Sequence, residues 1–502
     1  MLFNSAQYLI FLPLVLLVYY VIPNRLRYLW LLAASYYFYM CWNAKYALLM
    51  LFSTFTTYLC ALGIERIKSA GYADEKSARL KKYCVAASFI INLAILFFFK
   101  YFNFAWDSLA RLLSLAGVLP RRAGFDVILP VGISFYTFQA LGYTIDVYRG
   151  DIYAEKNFFR YALFVSFFPQ LVAGPIERSK NLLKQLAVPQ KLKFANFRDG
   201  LLLMLWGYFL KLVLADRLGI YVDAVYGSWQ EYVYSGGWYL ITATVFFAFQ
   251  IYCDFCGYTM IATGSARLLG IELMRNFDAP YLSASVAEFW RRWHISLSSW
   301  FRDYLYIPLG GNRRGKKRKY LNLLITFSVS GLWHGANWTF VAWGLINGIY
   351  QVIGDFLRPV REFAVRTLGL GRGTLSHRLV KTAATFVLID LSWVFFRADS
   401  LWAAVQIIRG MLHADDLWIF FDGTLAQGTG LGIQDMTLLA VCLCALFVSD
   451  LLRYKNVVVH EVIARQDWWF QIAVIVFSFL FIMLFGVWGS GYDAASFIYF
   501  QF

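Results

Sequence analysis

Charged side chains are scarce in this sequence: 15% of its 502 residues are Asp, Glu, Lys or Arg, against 60% that are hydrophobic. Soluble globular domains carry about 25% charged residues, so the polar surface needed to coat a water-soluble fold of this size is missing. Also absent is the apolar–polar alternation at every second position that a membrane β-barrel requires. Helices and closed barrels alone satisfy their backbone hydrogen bonds in lipid, which leaves an all-α integral membrane bundle. The seven cysteines make no disulfide framework. Cys41, Cys60, Cys84, Cys253, Cys442 and Cys444 lie in or beside apolar runs, where a thiol packs as a small hydrophobe. Cys253 and Cys256 form a single CxxC, which without a second pair is weak evidence for zinc or redox chemistry, and no metal is expected. No repeat or low-complexity linker divides the chain, so residues 1–502 read as one polytopic membrane domain. The first apolar run lacks a basic leader and a small-residue cleavage site, so it reads as a mature first helix.

What the sequence has instead is long apolar runs. Tyr8 to Ile22, Tyr28 to Trp42, Tyr46 to Ile64 and Cys84 to Phe99 follow one another closely, and roughly 20 apolar residues cross a hydrocarbon core. The net charge is +16. In a soluble protein that would suit nucleic acid; here the positive residues sit in short loops, as the positive-inside rule requires, and no nucleic acid partner is expected. Glu65 to Lys82, Arg178 to Arg198, Arg313 to Lys319, Arg358 to Lys381 and Arg453 to Arg465 are thereby placed in the cytoplasm. The stretch Ala398 to Gln434, with Asp399, Asp415, Asp416 and Asp422 against Arg409, is placed outside, as is the N-terminus. Spans fall near 6–22, 28–42, 46–64, 84–105, 127–147, 197–215, 238–256, 320–333, 337–356, 381–397, 435–452 and 470–488, for about 11–13 crossings. Two apolar stretches fit no simple span. Phe158 to Ile176 and Ala279 to Gly311 have basic residues on both flanks and are broken by proline and glycine. They read as re-entrant segments bordering a polar cavity open to the cytoplasm, or else as helices lying on the cytoplasmic surface.

Of five histidines, His377 and His460 fall in basic loops and His413 in the acidic one, where solvated side chains are expected. His334 differs. It sits in the stretch Ser330 to Trp338 (SGLWHGANW), between two uncharged apolar segments. An ionisable group at that depth is costly and points to function. Burial favours a neutral imidazole that can take a proton from a hydroxyl; a structural histidine closing a helix turn fits as well. His294 lies in Glu288 to Asp303 (EFWRRWHISLSSWFRD), where arginines, hydroxyls and aromatics mix inside a proposed re-entrant segment. Its arginines are suited to phosphate, or to anchoring at lipid headgroups.

At these residues the chain resembles the membrane-bound O-acyltransferase (MBOAT) family, in its branch of alginate O-acetyltransferases and teichoic acid D-alanyl transferases. The resemblance rests on motifs in family order: Pro130 to Gln139, Phe168 to Ile176, Gln250 to Phe255, Trp290 to Ser298, Arg302 to Asn312, Gly331 to Gly335 and the terminal Phe497 to Phe502. The run from Ile307 to Arg313 is more similar to the alginate branch. One departure is Met260, which stands where that branch suggests a carboxylate; Asp254 is retained as an orienting or structural carboxylate.

The resemblance implies that His334 is catalytic and that His294 positions the thioester or helps accommodate the oxyanion. It implies acetyl-CoA as cytoplasmic donor, with Arg291, Arg292, Ser296, Ser298, Arg302 and Asp303 as candidate donor contacts, together with the Arg313 to Lys319 cluster. It implies an acetyl acceptor outside, either a partner protein or an alginate-like exopolysaccharide or cell-wall glycan, and a place in the bacterial inner membrane. Acylation of peptidoglycan, teichoic acid or a secreted protein is the alternative within the family. A transporter is the alternative outside it, because broken segments also mark transporter sites. The topology is tested by single cysteines in an otherwise cysteine-free chain: an impermeant thiol reagent added outside is expected to modify a cysteine at Asp415 and to spare one at Lys316.

Overall fold

The structure, a computed structural model, describes residues 1–118, 129–171, 174–367, 369, 371 and 373–488. The terminal Phe497 to Phe502 motif, residues 127–128 of one expected span and Val172–Ala173 of the second motif lie outside them. The described residues form helices and no strand, and they group into two compact units.

The first unit comprises Met1–Met204 and Ala262–Met274. Ser5 caps the helix Ala6–Val21 by accepting the Tyr8 N–H, and Asn43 caps Ala44–Ser69 in the same way through Lys45. The helix Asp74–Leu96 continues through a π-helical turn, Phe97–Tyr101, into Phe102–Leu115. At the centre lies Ile133–Arg149, buried along almost its whole length. It starts at Gly132, whose φ of +74° suits glycine and whose missing side chain admits the Leu171 carbonyl, 2.6 Å from where a Cβ would stand. Polar side chains stitch the buried faces. Thr57 Oγ1 and the Tyr161 hydroxyl are 2.7 Å apart, Ser88 and Thr144 hydroxyls 3.2 Å, and Gln139 donates to the Phe164 carbonyl at 2.6 Å. Such bonds stand in for the hydrophobic drive that lipid cannot supply between helices.

The second unit comprises Leu205–Ile261 and Arg275–Phe502. Its long helix Gly237–Leu268 carries Tyr252, Asp254, Phe255 and Thr259 into the interior. Asp254 pairs with Lys211 at 2.8 Å, and Lys211 also pairs with Asp216 at 2.7 Å; all three side chains are buried. Lys211 is presented by a second π-helical segment, Phe209–Ala215. The helices Gly315–His334 and Trp338–Phe356 form a tight hairpin. Gly331 and Gly344 let the two backbones meet: a Cβ on Gly344 would stand 2.2 Å from the Phe327 carbonyl oxygen, and one on Gly331 2.2 Å from that of Phe340. Leu375–Arg397, Ile433–Tyr454 and Trp468–Phe485 complete the unit.

Each expected span is helical over most of its described length and departs from helix only at its ends, at Ile22, residues 41–42, residues 129–132, Asn337 and residues 486–488. Among the described residues six helices are by themselves long and apolar enough to cross a membrane, or seven if Trp338–Phe356 and Arg358–Thr367, bent by 51°, are counted together; about 11–13 crossings were expected. The other expected spans fall outside that set for physical reasons. Ala6–Val21 and Arg27–Met40 have 16 and 14 residues, short of the roughly 20 that cross a core. Gly315–His334 has 20, but Lys316, Lys317, Arg318 and Lys319 occupy its first turns. The two expected re-entrant stretches are broken into short pieces. Phe158–Ser166 has 9 residues, and Val286–Arg292 and Ile295–Phe301 have 7 each, mostly buried within the protein.

Replacing Gly344 by alanine is expected to lower stability by about 1–3 kcal/mol through overpacking against backbone. A thermal unfolding series in detergent checks this, with Gly354→Ala, which meets nothing within 4 Å, as the neutral control.

Candidate active site

The site is built where the segment after Arg275 doubles back on itself. Asp278 N–H donates to the Arg292 carbonyl at 3.0 Å and Ile295 N–H to the Asn276 carbonyl at 2.9 Å, so two short stretches are tied side by side. Between them, Ser285 and Glu288 make a reciprocal cap for Val286–Arg292: Ser285 Oγ accepts the Glu288 N–H at 3.1 Å and Glu288 accepts the Ala284 N–H at 3.0 Å. The tight path forces two non-glycine residues into the left-handed region, Ala279 at φ +45° and His294 at φ +43°. Such a conformation costs about 1–2 kcal/mol per residue and persists where the surroundings over-determine it. At His294 it turns the ring inward.

Asn276 sets that ring. Its side-chain oxygen accepts from Ser296 N–H at 3.3 Å and Ser296 Oγ at 2.9 Å, and lies 3.0 Å from His294 Nδ1. Its amide nitrogen donates to Thr259 Oγ1 at 3.3 Å. Because a backbone N–H fixes which end of the amide is the oxygen, His294 Nδ1 must be the protonated nitrogen, leaving Nε2 with the lone pair. Phe255 packs edge-on against the ring at 4.6 Å. His294 is 1% exposed, and burial holds its pKa well below the usual imidazole range, so the neutral form is the resident one.

His334 is the last residue of Gly315–His334, delivered by the glycine-mediated hairpin. Its ring lies 6.4 Å from that of His294. Trp333 at 4.9 Å, Trp343 at 5.1 Å and Phe396 at 5.6 Å enclose it, each near perpendicular. Trp343 stacks on Trp393 at 5.4 Å, and Trp393 meets Trp293 at 5.2 Å. Asn347 pins this wall by accepting from Trp290 Nε1 at 3.2 Å and donating to the Trp343 carbonyl at 2.9 Å. Two imidazoles in an aromatic enclosure can accept and return a proton next to a substrate held away from bulk water.

The candidate donor contacts are distributed. Ser296 is at the histidine pair, held by Asn276. Ser298 Oγ donates to the Trp293 carbonyl at 3.1 Å. Arg292 pairs with Asp278 at 3.2 Å and Glu288 at 3.1 Å. Arg302 pairs with Asp303 at 2.8 Å, and Arg291 and Arg302 are exposed. Cys253 and Cys256 are buried on one helix, and among the described residues no group of three His, Cys, Asp or Glu is placed to hold a metal. The sequence reading missed Asn276, Thr259 and Lys211. Asn276 has no local signature, whereas Lys211, a lone cation in the apolar run Gly207 to Ala215, is the kind of intramembrane charge that flags itself.

Similarity to known proteins defines the class. The model of the membrane-bound O-acyltransferase family, MBOAT, matches residues 153–368, and the chain belongs to that family: it is a multi-pass membrane protein and an O-acyltransferase. Among its relatives, the probable alginate O-acetylase AlgI of Pseudomonas putida is 37% identical over 457 residues, 91% of this chain and 89% of that protein. The peptidoglycan O-acetyltransferase of Helicobacter pylori is 33% identical over 82% of this chain and 80% of its own length. The teichoic acid D-alanyltransferase of Streptococcus thermophilus is 33% identical over 48% of this chain and 61% of its own.

If Asn276 orients His294, Asn276→Ala is expected to lower acyl transfer by about 10²-fold, the scale of a small misplacement of reacting groups. Asn276→Asp, which keeps the accepting oxygen, is expected to retain more activity. Initial rates of the two purified variants, compared at equal folded fraction, check the ordering.

Proposed function

We propose that the protein transfers acetyl groups from cytoplasmic acetyl-CoA, across the bacterial inner membrane, to hydroxyls of an extracytoplasmic polysaccharide of the alginate type, by way of a partner protein outside. The observation that carries this reading is the pair of histidine rings 6.4 Å apart inside the aromatic enclosure. The relatives named for alginate and peptidoglycan O-acetylation support the acetyl group and the glycan. Basic stretches read as cytoplasmic support a polyanionic donor on that side.

In this reading His334 removes the proton of the acceptor hydroxyl as its oxygen attacks the thioester carbonyl carbon. The tetrahedral intermediate collapses with cleavage of the C–S bond. The departing thiolate takes the proton back from the imidazolium, so ester and free thiol form with no net proton released. His294 is assigned to positioning the thioester. With Nδ1–H bound to Asn276, its Nε2 is an acceptor; the single proton of the hydroxyl goes to His334, so the partner that suits Nε2 is an N–H donor on the acyl-donor arm, and an oxyanion role would need the opposite tautomer.

His334→Gln keeps hydrogen-bonding capacity but cannot hold the proton. It is expected to lose about 10²–10⁴-fold in transfer rate, as is His334→Ala, while both remain folded. A merely structural hydrogen bond would cost roughly 1 kcal/mol of stability and little chemistry. His294→Ala is expected to lose less, and His377→Ala and His460→Ala to stay near the parent. The measurement is transfer of labelled acetyl groups in proteoliposomes. A His334→Gln variant near the parent rate removes the general base, and solute flux without donor consumption replaces the enzyme by a transporter.

A further inference from the structure

We propose that Arg378 is a phosphate-contact residue, its guanidinium held over the ring of Tyr454 to meet the phosphates of the acyl-donor coenzyme. This rests on the acetyl-CoA reading above and adds to it where the coenzyme's charged end is held.

The geometry is a ring shared by two cations. Arg378 Cζ lies 4.2 Å from the Tyr454 ring centroid, and Arg292 Cζ lies 4.6 Å from the same centroid. The acids nearby are already engaged. Asp278 Oδ2 pairs with Arg292 Nη1 at 3.2 Å and its Oδ1 with Arg453 Nε at 3.6 Å, while Glu288 takes Arg292 Nε at 3.1 Å. Asp450, one turn before Tyr454, is buried and accepts the Tyr252 hydroxyl at 2.9 Å. Among the described residues no carboxylate pairs with Arg378, and its side chain is exposed.

A guanidinium over an aromatic face keeps its edge N–H groups directed outward and available in a planar fork. The contact also restrains a long side chain beforehand, so less freedom is lost when an anion binds. Arg378 stands in the first turn of the 23-residue helix Leu375–Arg397, whose amino end adds partial positive charge. Such a fork fits phosphate bidentately, as it does carboxylate, and phosphate is the anion that the donor coenzyme presents.

Two features connect this cation to the donor. Arg378 and Tyr454 are far apart in sequence, yet both come from stretches that their charge places in the cytoplasm, where coenzyme A is found. Arg292, on the same ring, precedes His294 by two residues, and its carbonyl ties the His294 loop to Asp278. A donor held at Arg378 therefore sits against the element that positions the histidine pair.

The test uses the full-length protein in detergent with acetyl-CoA and, in parallel, acetyl-pantetheine, which carries the thioester without phosphates. Arg378→Gln is expected to raise KM for acetyl-CoA about tenfold, the worth of a charge-assisted hydrogen bond. It is expected to leave kcat and all acetyl-pantetheine kinetics unchanged and to flatten the salt dependence. Arg378→Lys should fall between. An equal loss with both substrates means a structural role and overturns the proposal, as does an unchanged KM for acetyl-CoA. If the parent protein does not engage acetyl-CoA at all, the donor reading fails by itself. Retention of phosphatidylglycerol over phosphatidylcholine, read by native mass spectrometry, then decides the site. Loss of that preference in Arg378→Gln keeps a phosphate contact for a lipid headgroup, and its persistence overturns the contact as well.

Discussion

One side-chain oxygen, that of Asn276, holds the candidate active site together. It takes the Ser296 N–H and hydroxyl and meets His294 Nδ1, while the amide nitrogen of the same side chain reaches Thr259 on the long helix. A single amide thus fixes the tautomer of a buried imidazole, the start of the helix that follows it and the helix that lies behind it. The left-handed backbone of His294 depends on this anchoring. Without competing bonds of equal quality the residue would relax toward ordinary φ values, and the ring would leave His334.

The other half of the pair is placed by close packing. Gly331 and Gly344 remove the side chains that would separate two helices, and the close approach leaves His334 at the end of one helix, walled by Trp333, Trp343 and Phe396. The two histidines are therefore brought together by different elements: a hydrogen-bonded loop delivers one, and a glycine-packed hairpin delivers the other. Close packing resists small displacements steeply, and polar anchoring selects a protonation state. A proton-transfer site needs both.

Much of the helical content was legible in the sequence because apolar runs report it locally; each expected span is helical over most of its described length. Which helices cross is not legible in the same way, because it depends on which faces meet lipid and which meet protein. Ile133–Arg149 is apolar and helical, yet it is buried against neighbours along its length. His334 and His294 stood out as imidazoles in apolar or mixed surroundings, but their approach to 6.4 Å follows from a loop closure that no local pattern encodes. Asn276, 18 residues before His294, sits in a stretch with nothing chemical to mark it. Lys211 is visible in the sequence as an isolated charge within an apolar run. Asp254, retained where position 260 departs from the branch, pairs with Lys211.

The buried trio of Lys211, Asp216 and Asp254 has a consequence for biogenesis. An unpaired ion moved out of water costs several kcal/mol even after relaxation. The segment carrying Lys211 and Asp216 leaves the ribosome before the helix carrying Asp254, and on its own it already holds one cation and one anion in contact. It can enter the membrane as a neutral pair. Asp254 arrives later with no cation beside it on its own helix, so its helix settles most cheaply once it docks on the earlier segment. The trio then holds two carboxylates to one ammonium, and Lys211 is shared between the partner it was inserted with and the one that came afterwards.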